Sequence, residues 1–225
     1  MRKTLSFLAA AAVLGTAVQA HAATNDTQYW QVVNVSVNLG DGFQLSNETT
    51  VRSGDKKGFY EVENNLLAGY AISKHVVAWA GYTHDPNYSH GDFTVMEHRF
   101  RQQINFEKYK LGNLSLSGRL RTEQRWREGA SGTGWRVRPY VKAALPIADK
   151  GATQLVLSNE AFINLNTTSF QRPSGWDRTR TFIGINKPLV KRVNIEAGYM
   201  LQHGYVRNGP DTNDHVLQVS LAAKF

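Results

Sequence analysis

Polar and apolar residues take turns along this chain almost from end to end. After Tyr29, the residues Val33, Val35, Val37 and Leu39 fall on one parity, while Asn34, Ser36 and Asn38 fall on the other. Successive side chains of an extended segment point to opposite sides, so this pattern describes a strand lying between two environments. The next segment repeats it. Phe43, Leu45, Thr49 and Val51 oppose Gln44, Ser46, Glu48, Thr50 and Arg52, with Gly40-Asp41-Gly42 as the turn between. Tyr60, Val62, Leu66, Ala68, Tyr70 and Ile72 then oppose Glu61, Glu63 and Asn65, and an apolar strand follows around Val76 to Thr83.

The contrast between the faces is sharpest in the middle of the chain. Met96, Phe100, Ile104 and Phe106 oppose Glu97, Arg99, Arg101, Gln103, Asn105 and Glu107; Leu114, Leu116, Leu120 and Trp126 oppose Ser115, Ser117, Arg119, Arg121, Glu123 and Arg125. Further strands are read at roughly Trp135 to Leu145, Leu155 to Leu165, Arg178 to Asn186, Val193 to Gln202 and His215 to Phe225. Segments this long exceed the usual strand of a soluble sandwich, about 5 or 6 residues, and match tilted membrane strands of about 9 to 11 or more. Short connections (Gly40-Asp41-Gly42, Ser73-Lys74-His75, Lys110-Leu111-Gly112-Asn113) alternate with longer polar ones at Ser53 to Gly58, Asp85 to Asp92, Glu128 to Gly134, Thr167 to Gly175 and Arg207 to Asp214. That is the asymmetry of short periplasmic turns and long outer loops. The fold expected is an all-β, transmembrane, antiparallel up-and-down barrel. Eleven segments are counted, but bacterial single-chain barrels have even strand numbers, so about twelve strands are expected, with ten as the alternative.

The start of the chain sets the compartment. Arg2 and Lys3 precede an uncharged run from Leu5 to Val18, and Ala20-His21-Ala22 follows as a small-x-small site. The run is too short for a helix that must cross with about 20 residues, so 1–22 reads as a cleaved signal peptide and 23–225 as a single barrel domain. Downstream there is no uncharged stretch of about 18 residues, which excludes helical spans. No cysteine is present, so rigidity in an exported chain must come from closure rather than disulfides. Removing Arg2 and Lys3 lowers the formal charge from +8 to +6. In an exported protein this surplus points to lipopolysaccharide or an acidic solute and away from nucleic acid.

Parity sorts the chemistry. Arg99, Arg101, Arg119, Arg121 and Arg125 lie opposite the apolar residues, as do Arg136, Arg138, Arg178 and Arg180. An arginine facing lipid near the midplane costs about 2–4 kcal/mol, so these must line the lumen. Glu97, Glu123 and Glu160 share their parity, as do Glu48, Glu61, Glu63, Glu107 and Glu196, and a near balance of charge favours bridges across a narrow lumen. The alternative is an arginine-lined conduit for anionic solutes. Trp30, Tyr60, Tyr70, Trp79, Tyr82, Trp126, Trp135, Trp176 and Tyr199 are expected to form interfacial girdles. Ser89 with His84 or His90, and His203 with His215, are the candidates for a lipid-modifying enzyme. His84-Asp85-Pro86-Asn87 lacks the His-x-Ser arrangement such enzymes would carry, so no enzyme, no cofactor and no metal site is expected.

The ordered motifs resemble a family of bacterial outer-membrane barrels, domain of unknown function 2490. They are Trp30, Glu48-Thr49-Thr50-Val51-Arg52, Ala80-Gly81-Tyr82, His98-Arg99-Phe100-Arg101, Arg119-Leu120-Arg121-Thr122-Glu123, Arg136-Val137-Arg138-Pro139-Tyr140, Glu196-Ala197-Gly198-Tyr199, and Asn213-Asp214-His215-Val216-Leu217 onward to Phe225. The resemblance implies the architecture and adds nothing about catalysis. The last strand, with Leu217, Val219, Leu221 and Phe225 on one face, is the expected signal for the barrel assembly machinery. A monomer in the cell outer membrane, in contact with its lipid and lipopolysaccharide, is the expected state.

Overall fold

The computed structural model describes residues 23–148 and 152–225; the segment read as a signal peptide lies outside them. The described residues form a barrel of eleven strands: β1 (Thr24–Gly40), β2 (Phe43–Gly54), β3 (Gly58–Ser73), β4 (Val76–Ser89), β5 (Asp92–Leu111), β6 (Leu114–Arg127), β7 (Gly134–Ala148), β8 (Thr153–Asn164), β9 (Gly175–Val190), β10 (Val193–Gly204) and β11 (Thr212–Lys224). Neighbours in sequence pair antiparallel all the way round, and β1 pairs with β11 to close the barrel.

That closing pair is parallel, running from Thr24↔Thr212 to Ser36↔Lys224. Two expectations are thereby corrected. Eleven strands, not twelve or ten, make the wall, and the barrel is not antiparallel throughout. Each hairpin reverses the chain, so an odd number of strands leaves the first and last pointing the same way, and a parallel ladder is then the only closure that satisfies both edges. The junction is tied to its last residue, where Phe225 N donates to Ser36 O (2.8 Å) and Asn38 N to Phe225 O (2.9 Å).

Turns at one end are tight. Gly40 (φ 90°), Asp41 (φ 48°) and Gly42 (φ 84°) join β1 to β2 in the left-handed conformation that favours glycine and tolerates Asp. The longer connections, 128–133, 165–174 and 205–211, gather at the other end, where Thr24 begins β1. Two expected loops shrink. β4 and β5 pair up to Ser89↔Asp92, so Asp85, read as loop, lies inside the barrel with no exposed surface.

Outward positions carry the apolar parity. Val33, Leu45, Leu66, Ile104, Leu120, Leu157, Ile183 and Leu217 are all exposed, a face far more apolar and continuous than a water-soluble monomer presents. Tyr29, Tyr82, Trp126, Trp135, Trp176 and Tyr199 are exposed on it towards the long-loop end, and Phe43, Tyr70 and Tyr109 towards the other.

Three aromatics expected there are inside instead. Trp30 and Trp79 sit on the inward parity and are buried. Tyr60 is the extra residue of a bulge, where Ser53 pairs with Phe59 and Arg52 with Glu61, and its hydroxyl donates to Gln28 Oε1 (2.7 Å) in the lumen. The Trp79 ring lies over inward-facing Gly69, and the Phe182 ring lies over Gly184 and Gly198, where any Cβ would overlap the ring. Glycine lets the wall bend, and the ring fills the space left. The inward face is therefore not wholly polar: Trp30, Ala144, Val156, Phe182, Met200 and Val216 form a buried apolar cluster.

Candidate functional site in the barrel lumen

The nine arginines singled out by parity and Glu97, Glu123 and Glu160 point inward, and nine of these twelve are buried: Glu97, Arg99, Arg101, Arg121, Glu123, Arg125, Arg136, Arg138 and Glu160. Arg119, Arg178 and Arg180 keep partial exposure to internal space. The structure sorts them, with residues that parity did not single out, into two ion networks.

The first lies on β2 to β6. Arg52 bridges Glu61 (2.5 Å) and Glu63 (3.1 Å), and Arg99 reaches Glu63 (3.2 Å), Glu97 (2.7 Å) and Asp85. Glu97 also accepts from Arg125 through Nε (2.8 Å) and Nη2 (3.0 Å), and from Arg127 Nη2 (2.7 Å). Arg101, fully buried, lies 3.7 Å from Glu63 and donates to Asn65. Five arginines thus meet four carboxylates. Such charge is tolerable away from water because paired, charge-assisted hydrogen bonds replace hydration. Glu61, Glu63 and Asp85 converge, with oxygens within 4.8 Å of one another, and Arg52 and Arg99 supply the positive charge between them.

The second network lies on β6 to β9. Glu123 accepts from Arg136 Nε (2.8 Å) and Nη2 (2.6 Å) and from Arg138 Nη1 (2.6 Å), with Arg121 at 3.9 Å. Glu160 receives Arg138 (3.0 Å), Arg119 (2.5 Å) and, at 4.0 Å, Arg180. Asp177 receives Arg178 (2.8 Å), Arg172 (3.6 Å) and Arg136 (3.9 Å). Among the described residues, seven arginines share these three carboxylates. Phe162 sits beneath them, with the guanidinium carbons of Arg138, Arg180, Arg136 and Arg178 at 4.1, 4.6, 5.1 and 5.6 Å from its ring centroid. The negative ring face partly offsets their charge.

Arg52, Asp85 and Asp177 were missed by parity for particular reasons. Arg52 was read on the inward face but not weighed with the other arginines, and Asp85 was read as loop. Asp177 is the extra residue of a second bulge, since Ile163 pairs with Trp176 and Phe162 with Arg178, and both Asp177 and Arg178 turn inward. A bulge re-aims side chains that simple alternation assigns elsewhere.

The connection 165–174 folds over the long-loop end of the lumen. Gln171, buried, accepts from Arg125 Nη1 (3.1 Å) and donates to Asn166 O (2.8 Å), and the Phe170 ring lies 5.4 Å from Arg127. Arg172 donates to the carbonyls of Asp177 and Tyr205, both at 3.2 Å. Burial, and then the neighbouring Arg178, lower the Arg172 pKa from its ordinary value.

Below this cover is a cavity of about 470 Å³, lined by Arg52, Arg99, Arg136, Arg138, Arg172, Arg178, Arg180, Lys56 and Lys57 among others, with Asp26, Glu61, Glu63 and Asp214 as its carboxylates. A second, of about 230 Å³, lies towards the tight-turn end and is lined by Ser46, Glu48, Trp79, Arg101, Arg121 and Lys224. They share no lining residue, but a smaller cavity of about 110 Å³, lined by Tyr140, Glu160 and Met200 among others, borders the first at Trp30 and Arg180. Asn65, Thr83, Asp85, Glu97, Arg101 and Glu123 are fully buried within the lumen.

The residues weighed for catalysis lie in separate places. Ser89 Oγ and His90 Nδ1 are 3.3 Å apart on an exposed hairpin. His203 pairs with Asp211 (3.3 Å) and Asn213 (2.8 Å), and His215 Nδ1 meets the Tyr199 hydroxyl (2.7 Å) on the outer wall.

No solved structure matches the chain. It is 27% identical over 230 residues to an uncharacterised protein of Methylorubrum extorquens, with the whole length of both chains covered. Matched over residues 27–213, the chain belongs to the family described as protein of unknown function, DUF2490.

Proposed function

We propose that this protein is an integral barrel of the bacterial outer membrane, exported by the segment 1–22, with a lumen closed at mid-height by its ion belt. The observation that carries this reading is the apolar outer face. It runs round a wall with no open edge, while nearly every charge of the strands points inward. Water offers no reason for that sorting, and lipid requires it. The exposed aromatics near both strand ends fit the two interfaces. The protein acts as a monomeric structural barrel among outer-membrane lipid and lipopolysaccharide. Its β11 face of Leu217, Val219, Leu221 and Phe225 is what the barrel assembly machinery engages.

The test is fractionation followed by planar-bilayer conductance. Recovery only with detergent-extracted outer membrane, heat-dependent migration on gels and electrical silence are expected. Recovery as a freely soluble periplasmic protein overturns the reading. The second reading is a conduit for anionic solutes, favoured by the cationic lining of the cavity at the long-loop end. An anion-preferring current that disappears when Arg119, Arg121 and Arg138 are neutralised would establish it in place of the closed barrel.

A further inference from the structure

The network on β6 to β9 leaves its charge unbalanced. Each of Glu123, Glu160 and Asp177 neutralises one arginine, yet among the described residues seven arginines lean on them, so four positive charges are left over. Charge left uncompensated behind a closed wall is destabilising unless something of opposite sign joins it. Arg136, Arg138, Arg172, Arg178 and Arg180 all reach the cavity at the long-loop end. Lys56 and Lys57 add two ammonium groups to its lining, and among the described residues neither is paired with a carboxylate. Of the four carboxylates lining the cavity, Glu61 and Glu63 belong to the first network with Arg52 and Arg99, while Asp214 and Asp26, hydrogen-bonded to the neutral amides of Gln202 (2.5 Å) and Gln28 (3.0 Å), keep charges that offset the two ammonium groups and leave the four of the β6 to β9 network in surplus.

We propose that this cavity is a binding site for a ligand bearing two phosphate groups, held against β7 to β9. A phosphate monoester carries about −1.5 to −2 near neutral pH, so two of them match the four surplus charges. Guanidinium groups present paired donors that fit phosphate oxygens. Arg178 spends Nε on Asp177, and Arg180 spends Nε on Gln202 and sets Nη1 4.0 Å from Glu160, which leaves the outer nitrogens of Arg178 and Nη2 of Arg180 for a ligand. A volume of about 470 Å³ lies in the range of small-molecule sites. Phe162 and Trp30, each already flanked by arginine, give the non-phosphate part an aromatic floor. Arg172 closes from above on the connection 165–174. The site takes its ligand from the long-loop end and does not require that anything pass through the barrel.

The same chemistry occurs in a soluble bisphosphate and in a phosphorylated lipid headgroup, and two arms separate the sources. In the first, the full chain folded in zwitterionic detergent is titrated with inorganic pyrophosphate, with sulfate at equal ionic strength as the reference. In the second, lipopolysaccharide is added as mixed micelles, with phosphate-free lipid as the reference. Binding in either arm, with a raised thermal unfolding midpoint, is expected; binding in the lipid arm alone identifies the headgroup as the source. The double substitution Arg178→Gln with Arg180→Gln should weaken binding at least tenfold. Without ligand it should still fold, because the lost Arg178 bridge to Asp177 is offset by the relief of surplus charge and Arg172 and Arg136 stay near that acid. Equal binding by the double variant, absence of binding in both arms, or a double variant too unstable to fold would each overturn the proposal.

Discussion

The two halves of the lumen use the same residue types to different ends. On β2 to β6, five arginines meet four carboxylates; on β6 to β9, seven arginines meet three. The first half is close to neutral and behaves as a clamp that sets the register of four hairpins. The second is held against the mutual repulsion of its arginines by too few acids and by the Phe162 ring. Two arrangements of one chemistry, a completed bridge and an open charge, thus sit on opposite sides of one cavity.

The comparison can be broken from either side. Glu123→Gln should have the largest effect, destabilising by about 3–5 kcal/mol, since it deprives the cation-rich half of a fully buried acid that three arginines use. Urea unfolding of the detergent-folded protein measures it. Arg99→Gln should cost about 3 kcal/mol in the same assay, because Glu63, Asp85 and Glu97 lose a shared partner in the half that is nearly neutral. A neutral or stabilising outcome there would erase the distinction between the halves.

Phe162→Leu should cost about 1–2 kcal/mol by removing the ring face that four guanidinium groups share. The loss should grow when salt is lowered, because screening then no longer moderates the repulsion. Arg180→Gln should change stability by less than about 1 kcal/mol, in the stabilising direction, since among the described residues the acid it pairs with, Glu160, is 4.0 Å away and already engaged by Arg138 and Arg119. Thermal melts of the two arginine variants side by side give the sharpest contrast. Arg99→Gln lowers the midpoint, and Arg180→Gln does not.

Much of this was readable from alternation. Strand existence, the inward placement of the arginines from Arg99 to Arg180 and the apolar outer parity all follow from a period of two, because a pleated strand leaves a side chain no other choice. Trp30 was also readable, since it shares parity with Asn34 and Ser36, but its residue type pointed to an interface and outweighed its position. Tyr60 and Asp177 were not readable, because each is the extra residue of a bulge, and a bulge depends on how the neighbouring strand is registered. Asp85 was hidden by Pro86 and Asn87, which look like a loop in sequence and are strand in the structure only because β5 continues alongside.

By itself, then, the sequence determined which residues face in, which face out and that a closed wall must separate them, because those are local consequences of strand geometry repeated along the chain. The tertiary structure alone decided that eleven strands close through a parallel pair, which carboxylate serves which arginine, and that one side of the lumen keeps four charges unmatched. Those depend on distances between strands far apart in sequence, and Coulomb interactions follow distance rather than pattern.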